Sequence, residues 1–258
     1  MTEVARKSAE LRRLHGGPGI LVLVNVWDVA SARTVAALPG CPAIATGSWP
    51  IAASLGVPDG EVLGRDEMLA VAARIAAAVD LPVTADLEAG YGATPADVAE
   101  TIRRAIGAGI AGCNLEDGER PLPEAVARVA AACQAADGDS AGFVVNARLD
   151  MNVRDRHELE AAVERARAFV GAGAACVYPI ALADPRLIGE FVQRVGAPVN
   201  IYGRPGGPSV RGLEALGVAR VSFGPGPQGA AMAALERIGT DLLAGGAVDE
   251  SLAFRPPV

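Results

Sequence analysis

Eight short β-rich runs, each followed by a turn and an alanine-rich helical pattern, constrain this chain more than any other feature. They are "ILVLVNV" (20–26), "CPAIAT" (41–46), "LPVTADL" (81–87), "GCNLED" (112–117), "FVVNARLD" (143–150), "ACVYPI" (175–180), "APVNIYG" (197–203) and "ARVSFG" (219–224). Between them stand segments such as "GRDEMLAVAARIAAAVD", with Asp66 or a neighbour as its expected cap, and "TPADVAETIRRAIGAG". The second opens with Thr94 as N-cap and Pro95 at the first helical position. "HELEAAVERARAFVGAGA" ends in glycines, an ordinary helix stop. Strands alternating with helices specify an α/β fold, and eight repeats predict a parallel (β/α)8 barrel of TIM type. A doubly wound open sheet would carry a Gly-rich phosphate turn after its first strand, and "NVWDVASAR" has none. A helix is expected over about residues 2–15 and a C-terminal helix and tail over about 227–258. No linker or compositional break divides the chain, so the simplest count is one domain spanning 1–258.

The 258 residues are 51% hydrophobic, enough for one large core. No apolar run is long enough to span a bilayer. The opening "MTEVARKSAELRRLHGG" lacks the apolar stretch of a secretion signal, so a cytoplasmic location is expected. A formal net charge of -7 argues against a nucleic-acid partner. Of the 23 lysine and arginine residues only Lys7 is a lysine, which removes a strand-borne Schiff base. The two histidines, His15 and His157, fall in helical segments, so a multi-histidine zinc site and a Ser-His-Asp triad lose their support. Cys41, Cys113, Cys133 and Cys176 show no paired short spacing and read as buried, reduced thiols.

In such barrels the chemistry sits where strands end. "LPVTADLEAGYG" (81–92) ends its strand in Asp86 and Glu88, which strand alternation would aim the same way about 7 Å apart. Alternation likewise groups Asn114 with Glu116, and Asn146 with Arg148 and Asp150. Further polar strand ends are Asn25, Trp27 and Asp28, then "TGSW" (46–49), Asp117, and Asn200 with Tyr202. Carboxylates converging from adjacent strands repel one another, and a divalent cation removes that difficulty. Oxygen-only ligands favour Mg2+ or Mn2+ over zinc. The alternative is a set of buried salt bridges in which Arg148 answers Glu116 or Asp150. Arg148 carries a rigid fork suited to a substrate carboxylate or phosphate. "TGSW" is either an oxyanion-binding turn, with Gly47 permitting close approach, or an ordinary one. Trp27 either lines the site or fills the barrel top. "FGPGPQGAAMAAL" reads as a hinge or a phosphate-binding helix start, and "GRPGGP" as a mobile turn. The tail "SLAFRPPV" is a candidate for packing on a partner subunit.

"NVWDVASAR", "TGSWPIAASLGVPDGE", "TADLEAGYG", "NLEDG" and "NARLD" occur in an order that resembles the isocitrate lyase/phosphoenolpyruvate mutase superfamily, from about residue 20 to 225. The resemblance implies a modified barrel, a homotetramer that exchanges its eighth helix between subunits, Mg2+, and a 2-oxo-acid that passes through a metal-bound enolate. Position by position, it makes Asp86 the metal-binding aspartate and Glu88 the second acid on metal-bound water. Glu116 matches the glutamate of the "E-D" strand end, a metal and catalytic position. Arg148 becomes the substrate-binding and catalytic arginine, and Thr46, Gly47 and Ser48 the carboxylate cradle. Asp59 falls on an active-site aspartate of the gating segment, and Asn200 on a substrate-contacting asparagine.

The departures narrow the chemistry. The lyases of this superfamily carry a Lys-Cys-Gly-His lid after the fourth strand, whereas here "NLEDGERPLPEAVAR" enters the next helix almost at once. Cys113 cannot replace the lid cysteine, because it precedes Glu116 in the strand and faces the other way. The longer mutase loop is also missing, and Ile180 stands where lyases have a glutamate. The expectation is a Mg2+-dependent (or Mn2+-dependent) lyase that decarboxylates or cleaves a small, oxaloacetate-like 2-oxo-acid. The alternatives are phosphonopyruvate hydrolase or phosphoenolpyruvate mutase-type P–C chemistry and, from another class, a non-catalytic 2-oxo-acid binder.

Overall fold

The computed structural model describes residues 1–139, 142–248 and 250–253. All eight expected runs contain strands. The first is broken at Val24 into β1 (Leu21–Leu23) and β2 (Asn25–Val26). The others are β3 (Ile44–Thr46), β4 (Val83–Asp86), β5 (Gly112–Glu116), β6 (Val144–Leu149), β7 (Cys176–Pro179), β8 (Asn200–Tyr202) and β9 (Arg220–Ser222). One sheet runs β2-β3-β4-β5-β6-β7 and a second runs β1-β9-β8, with every pair parallel. A parallel bridge between Val177 and Val199 joins β7 to β8. With β1 and β2 continuous through Val24, neighbours follow one another around the whole ring, as a (β/α)8 barrel requires.

Each strand leads into helix. In order these are α1 (Glu3–His15) before the barrel, then α2 (Val29–Ala36), α3 (Ser48–Ser54), α4 (Arg65–Ala77), α5 (Pro95–Gly107), α6 (Leu122–Asp139), α7 (Arg156–Gly171), α8 (Pro185–Val195), α9 (Val210–Ala215) and α10 (Gly226–Leu243). Local chemistry sets several starts. Thr94 and Asp97 form a capping box at α5, with Pro95 in its first turn. α4 departs from expectation: Gly64 is its N-cap, and Asp66 lies in the first turn, where it pairs with Arg104 at 2.7 Å. The C-terminal helix is present as α10, but residues 254–258 of the tail lie outside the described residues.

Strand alternation sorts the core into two layers. Val83, Ala85, Cys113, Leu115, Val145, Ala147, Val177 and Val221 pack outward against the helices. Cys113 thus faces away from Glu116, as alternation requires. Leu21, Leu23, Ala43, Ala45 and Val144 close the inner base of the barrel together with Leu11 of α1. Gly112 permits this, because a Cβ there would meet Leu11 Cδ2 and the Val144 carbonyl oxygen, each at 2.8 Å. Lys7, also on α1, donates to the Val79 carbonyl at 2.9 Å, a structural role at the closed end. All four cysteines are free thiols; Cys113, Cys133 and Cys176 are buried and Cys41 is half-buried. No helix of the described residues is long and apolar enough to cross a membrane.

Candidate active site at the barrel mouth

Asp86 and Glu116 are the last residues of β4 and β5, and Arg148 lies one residue before the end of β6. Parallel pairing places Glu116 directly beside Arg148, and Arg148 beside Tyr178 of β7. Arg148 Nη1 meets Glu116 Oε2 at 2.6 Å, while Nε and Nη2 both reach Asp150 Oδ1 at 2.6 Å. Burial disfavours the guanidinium charge, but these two carboxylates outweigh it and raise its pKa. The Glu116 carboxyl is pushed up to about 8. Burial is the main cause; Arg148 opposes it, and the charges of Asp86, Asp150 and Glu88 add to the rise.

Asp86 is tied to the end of β3. Its Oδ2 accepts from the backbone N–H and the hydroxyl of Ser48, both at 3.2 Å, and its own N–H donates to Thr46 Oγ1 at 3.0 Å. The Ser48 amide expected to face an oxyanion is therefore used on Asp86. Gly47 serves packing, since a Cβ there would meet Pro50 Cγ at 2.8 Å.

Glu88 is placed differently from the sequence expectation. The strand stops at Asp86, and Glu88 lies in the following turn with φ +48°, so alternation does not set its direction. Its Oε1 accepts from the Tyr91 hydroxyl at 2.7 Å and its Oε2 from the Glu61 N–H, while Glu61 Oε1 accepts from the Tyr91 N–H at 2.7 Å. Glu61 and Tyr91 also have left-handed φ values, +62° and +55°. This reciprocal clasp pins the loop that carries Asp59 to the β4 turn. Asp59 itself is exposed, close enough to help raise the Glu88 pKa, a shift due first to burial.

The remaining expected residues divide. Trp27 is half-buried and packs against Ile51, Leu63 and Met68. Asp28 caps α2. Asn200 is fully buried and donates to Ser222 Oγ at 3.1 Å. Asn25 holds Phe223 N–H and Gly224 N–H at 2.7 and 3.0 Å, fastening the end of β9 to β2. The "GRPGGP" turn is anchored: Arg204 donates to the Ile180 carbonyl and lies over the Tyr202 ring.

The short connection between β5 and α6 is pinned as well. Asp117 accepts from Arg165 and from the Glu119 N–H, the Gly118 N–H donates to Asp150 Oδ2 at 2.9 Å, and Arg165 also caps the Arg120 carbonyl.

Glu61, Tyr91, Tyr178 and Arg220 were not singled out in the sequence. Arg220 is fully buried inside the barrel and donates to Asn114 Oδ1 at 3.0 Å. An arginine within the short β-rich run "ARVSFG" is the available signal.

The donor set suits a hard cation. Asp86 Oδ1 and Glu116 Oε1 receive no hydrogen bond from the described residues, whereas both Glu88 oxygens are taken. Among the described residues no three His, Cys, Asp or Glu side chains converge into a cage. Two acids with a free oxygen each, Asp86 and Glu116, are within the one or two carboxylates through which Mg2+ binds with retained water.

A parallel barrel with an acid–arginine cluster at the C-terminal ends of its strands places a candidate small-molecule site at that mouth. The phosphoenolpyruvate phosphomutase family model matches residues 11–243, and the chain belongs to that family. Its structure is similar to one from Burkholderia cenocepacia assigned as a phosphonomutase, at 44% identity and TM-score 0.87, covering 91% of this chain and 99% of that one. It is also similar to oxaloacetate acetylhydrolase in complex with oxalate, at 26% identity and TM-score 0.83, covering 97% and 90%. In sequence it is 34% identical over 168 residues to 2-methylisocitrate lyase of Escherichia coli, covering 60% of this chain and 55% of the lyase. The family thus includes both lyases and mutases of small carboxylates.

Proposed function

We propose that this protein is a Mg2+-dependent lyase that decarboxylates or cleaves a small, oxaloacetate-like 2-oxo-acid through an enolate. The observation that carries the reading is the meeting of Asp86, Glu116 and Arg148 at adjacent strand ends, with one unengaged oxygen on each acid. Asp86 and Glu116 would hold the ion, with Glu88 fixing the turn beside it. Bound there, Mg2+ would supply electrostatic stabilisation as negative charge develops. Arg148 keeps N–H groups beyond those used on Glu116 and Asp150, and these clamp a substrate carboxylate. Asp150 aligns the guanidinium for that contact. Ser48 and Thr46 hold Asp86 in place.

Calorimetric titration with oxalate, a mimic of the pyruvate enolate, tests the site. Binding is expected only with Mg2+, and Asp86→Ala should abolish it. Equal oxalate binding with and without Mg2+ would refute the metal role. The likeness to an assigned phosphonomutase favours P–C chemistry as the second reading. Phosphonopyruvate followed by phosphorus NMR tests the second reading: released phosphate or a rearranged ester supports P–C chemistry, and an unchanged spectrum refutes it.

We further propose a homo-oligomer that exchanges α10. Within one chain the described part of that helix buries only Gln228, which donates to the Pro50 carbonyl at 2.8 Å.

A further inference from the structure

We propose that Asn114 is a substrate-binding residue of this site, its carboxamide N–H groups donating to a carboxylate or 2-oxo oxygen from the floor of the mouth. The inference rests on the 2-oxo-acid reading above and accounts for a buried arginine which that reading leaves without a task.

Arg220 is fully buried inside the barrel, and its guanidinium meets an imidazole and a carboxamide rather than a carboxylate. Nη1 lies 3.5 Å from His15 Nε2, and Nη2 lies 3.0 Å from Asn114 Oδ1. A guanidinium can only donate, so the Asn114 atom that faces it is the oxygen. The same oxygen accepts from Asn146 Nδ2 at 2.8 Å. With both lone pairs engaged, the carboxamide has one orientation, and its NH2 group turns away from Arg220 and Asn146.

Strand geometry says where that group goes. Asn114 shares the inward face of β5 with Glu116, two residues further along, and pairs in register with Asp86 of β4. Below it the barrel is closed by Leu11, Leu21, Leu23, Ala43, Ala45 and Val144. Asn114 Nδ2 meets no acceptor among the described residues, yet it is not enclosed. The enclosed, unpartnered side-chain atoms on the inward faces are Thr84 Oγ1, Asn146 Oδ1 and Arg220 Nε. Asn114 is 7% exposed, whereas Asn146 and Arg220 are wholly covered. Since the base is sealed, its accessible edge opens only to the mouth, at the foot of the strand ends that carry Asp86 and Glu116. An N–H pair in that position accepts an oxygen as its ligand and rejects another donor.

The test is calorimetry on the full-length protein with Mg2+ and two ligands of one shape. These are oxalate and oxamate, in which an amide donor replaces one carboxylate oxygen. The wild-type protein should bind oxalate the more tightly. Asn114→Asp keeps an acceptor for Arg220 and Asn146 but exchanges the donor for an oxygen. It should lose at least about tenfold in oxalate affinity, the worth of one hydrogen bond to a charged group, and bind oxamate at least as tightly as wild type does. Asn114→Leu adds no charge; it should lose oxalate affinity to the same extent and bind oxamate no more tightly than wild type. Thermal melting by circular dichroism reports whether each variant is folded, and if Asn114→Leu is not, the oxalate-to-oxamate preference of Asn114→Asp decides. A folded Asn114→Leu that binds oxalate within threefold of wild type overturns the assignment. So does an Asn114→Asp protein that weakens both ligands equally, which would confine Asn114 to the barrel frame or to a water molecule. Absence of oxalate binding in the wild-type protein removes the 2-oxo-acid reading itself and the proposal with it.

Discussion

At the scale of single residues, the carboxylates at the mouth are sorted by what already holds them. Asp86 and Glu116 each keep an unengaged oxygen, whereas Glu88 spends both on Tyr91 and Glu61. Three non-glycine residues with left-handed backbone meet in that clasp, and such conformations persist only where surrounding contacts over-determine them. Tyr91→Phe removes one donor to a carboxylate, a bond of about 1.5–3 kcal/mol. The Glu61 amide is then expected to exchange with solvent at least about tenfold faster by hydrogen-exchange mass spectrometry. An unchanged rate would mean that the Asp59 loop is held by other contacts. The pairing of Asp86 with Glu88 looked like strand alternation in the sequence. It is not, because the strand ends at Asp86 and a left-handed turn begins at Glu88.

At the scale of elements, α1 is more than a leading helix. It seats Leu11 over Gly112 and carries His15 to Arg220. The His15 Nδ1 lies 2.7 Å from the Leu11 carbonyl, which can only accept, so Nδ1 carries the proton and Nε2 accepts from Arg220. A neutral imidazole is thus built in. Burial, and then the Arg220 charge, lower its pKa from 6.5 to about 3. Because the folded value lies below the unfolded one, the unfolded chain takes up the proton first. Stability from this group is complete above pH 6.5 and is lost as pH falls towards 3, by about 2 kcal/mol at pH 5. Urea unfolding at pH 7.5 and pH 5 should show a smaller drop for His15→Gln than for the wild-type protein. Equal drops would mean that the imidazole is hydrated in the folded state. The existence of α1 was legible from "MTEVARKSAELRRLH", but its partner was not, since His15 and Arg220 are 205 residues apart.

At the scale of the whole molecule, α10 leaves an apolar stripe uncovered. Met232, Leu235, Leu242 and Leu243 are 49%, 61%, 38% and 92% exposed on one helical face. A continuous stripe of this kind needs a partner surface. Light scattering should report an oligomer for the wild-type protein, and Leu235→Glu should lower its mass towards that of one chain. A monomeric wild-type protein would end the exchange proposal. Read without coordinates, the chain determined its strands, its helices, the inward and outward faces and the motifs "TADLEAGYG", "NLEDG" and "NARLD". These depend on backbone periodicity and local capping, which neighbouring residues settle among themselves. Only the tertiary structure decided that Arg148 lies between Glu116 and Asp150 and that Glu88 clasps the Asp59 loop. The partners of a buried polar group are chosen when the ring closes and brings distant strands into register, and no local rule contains that closure.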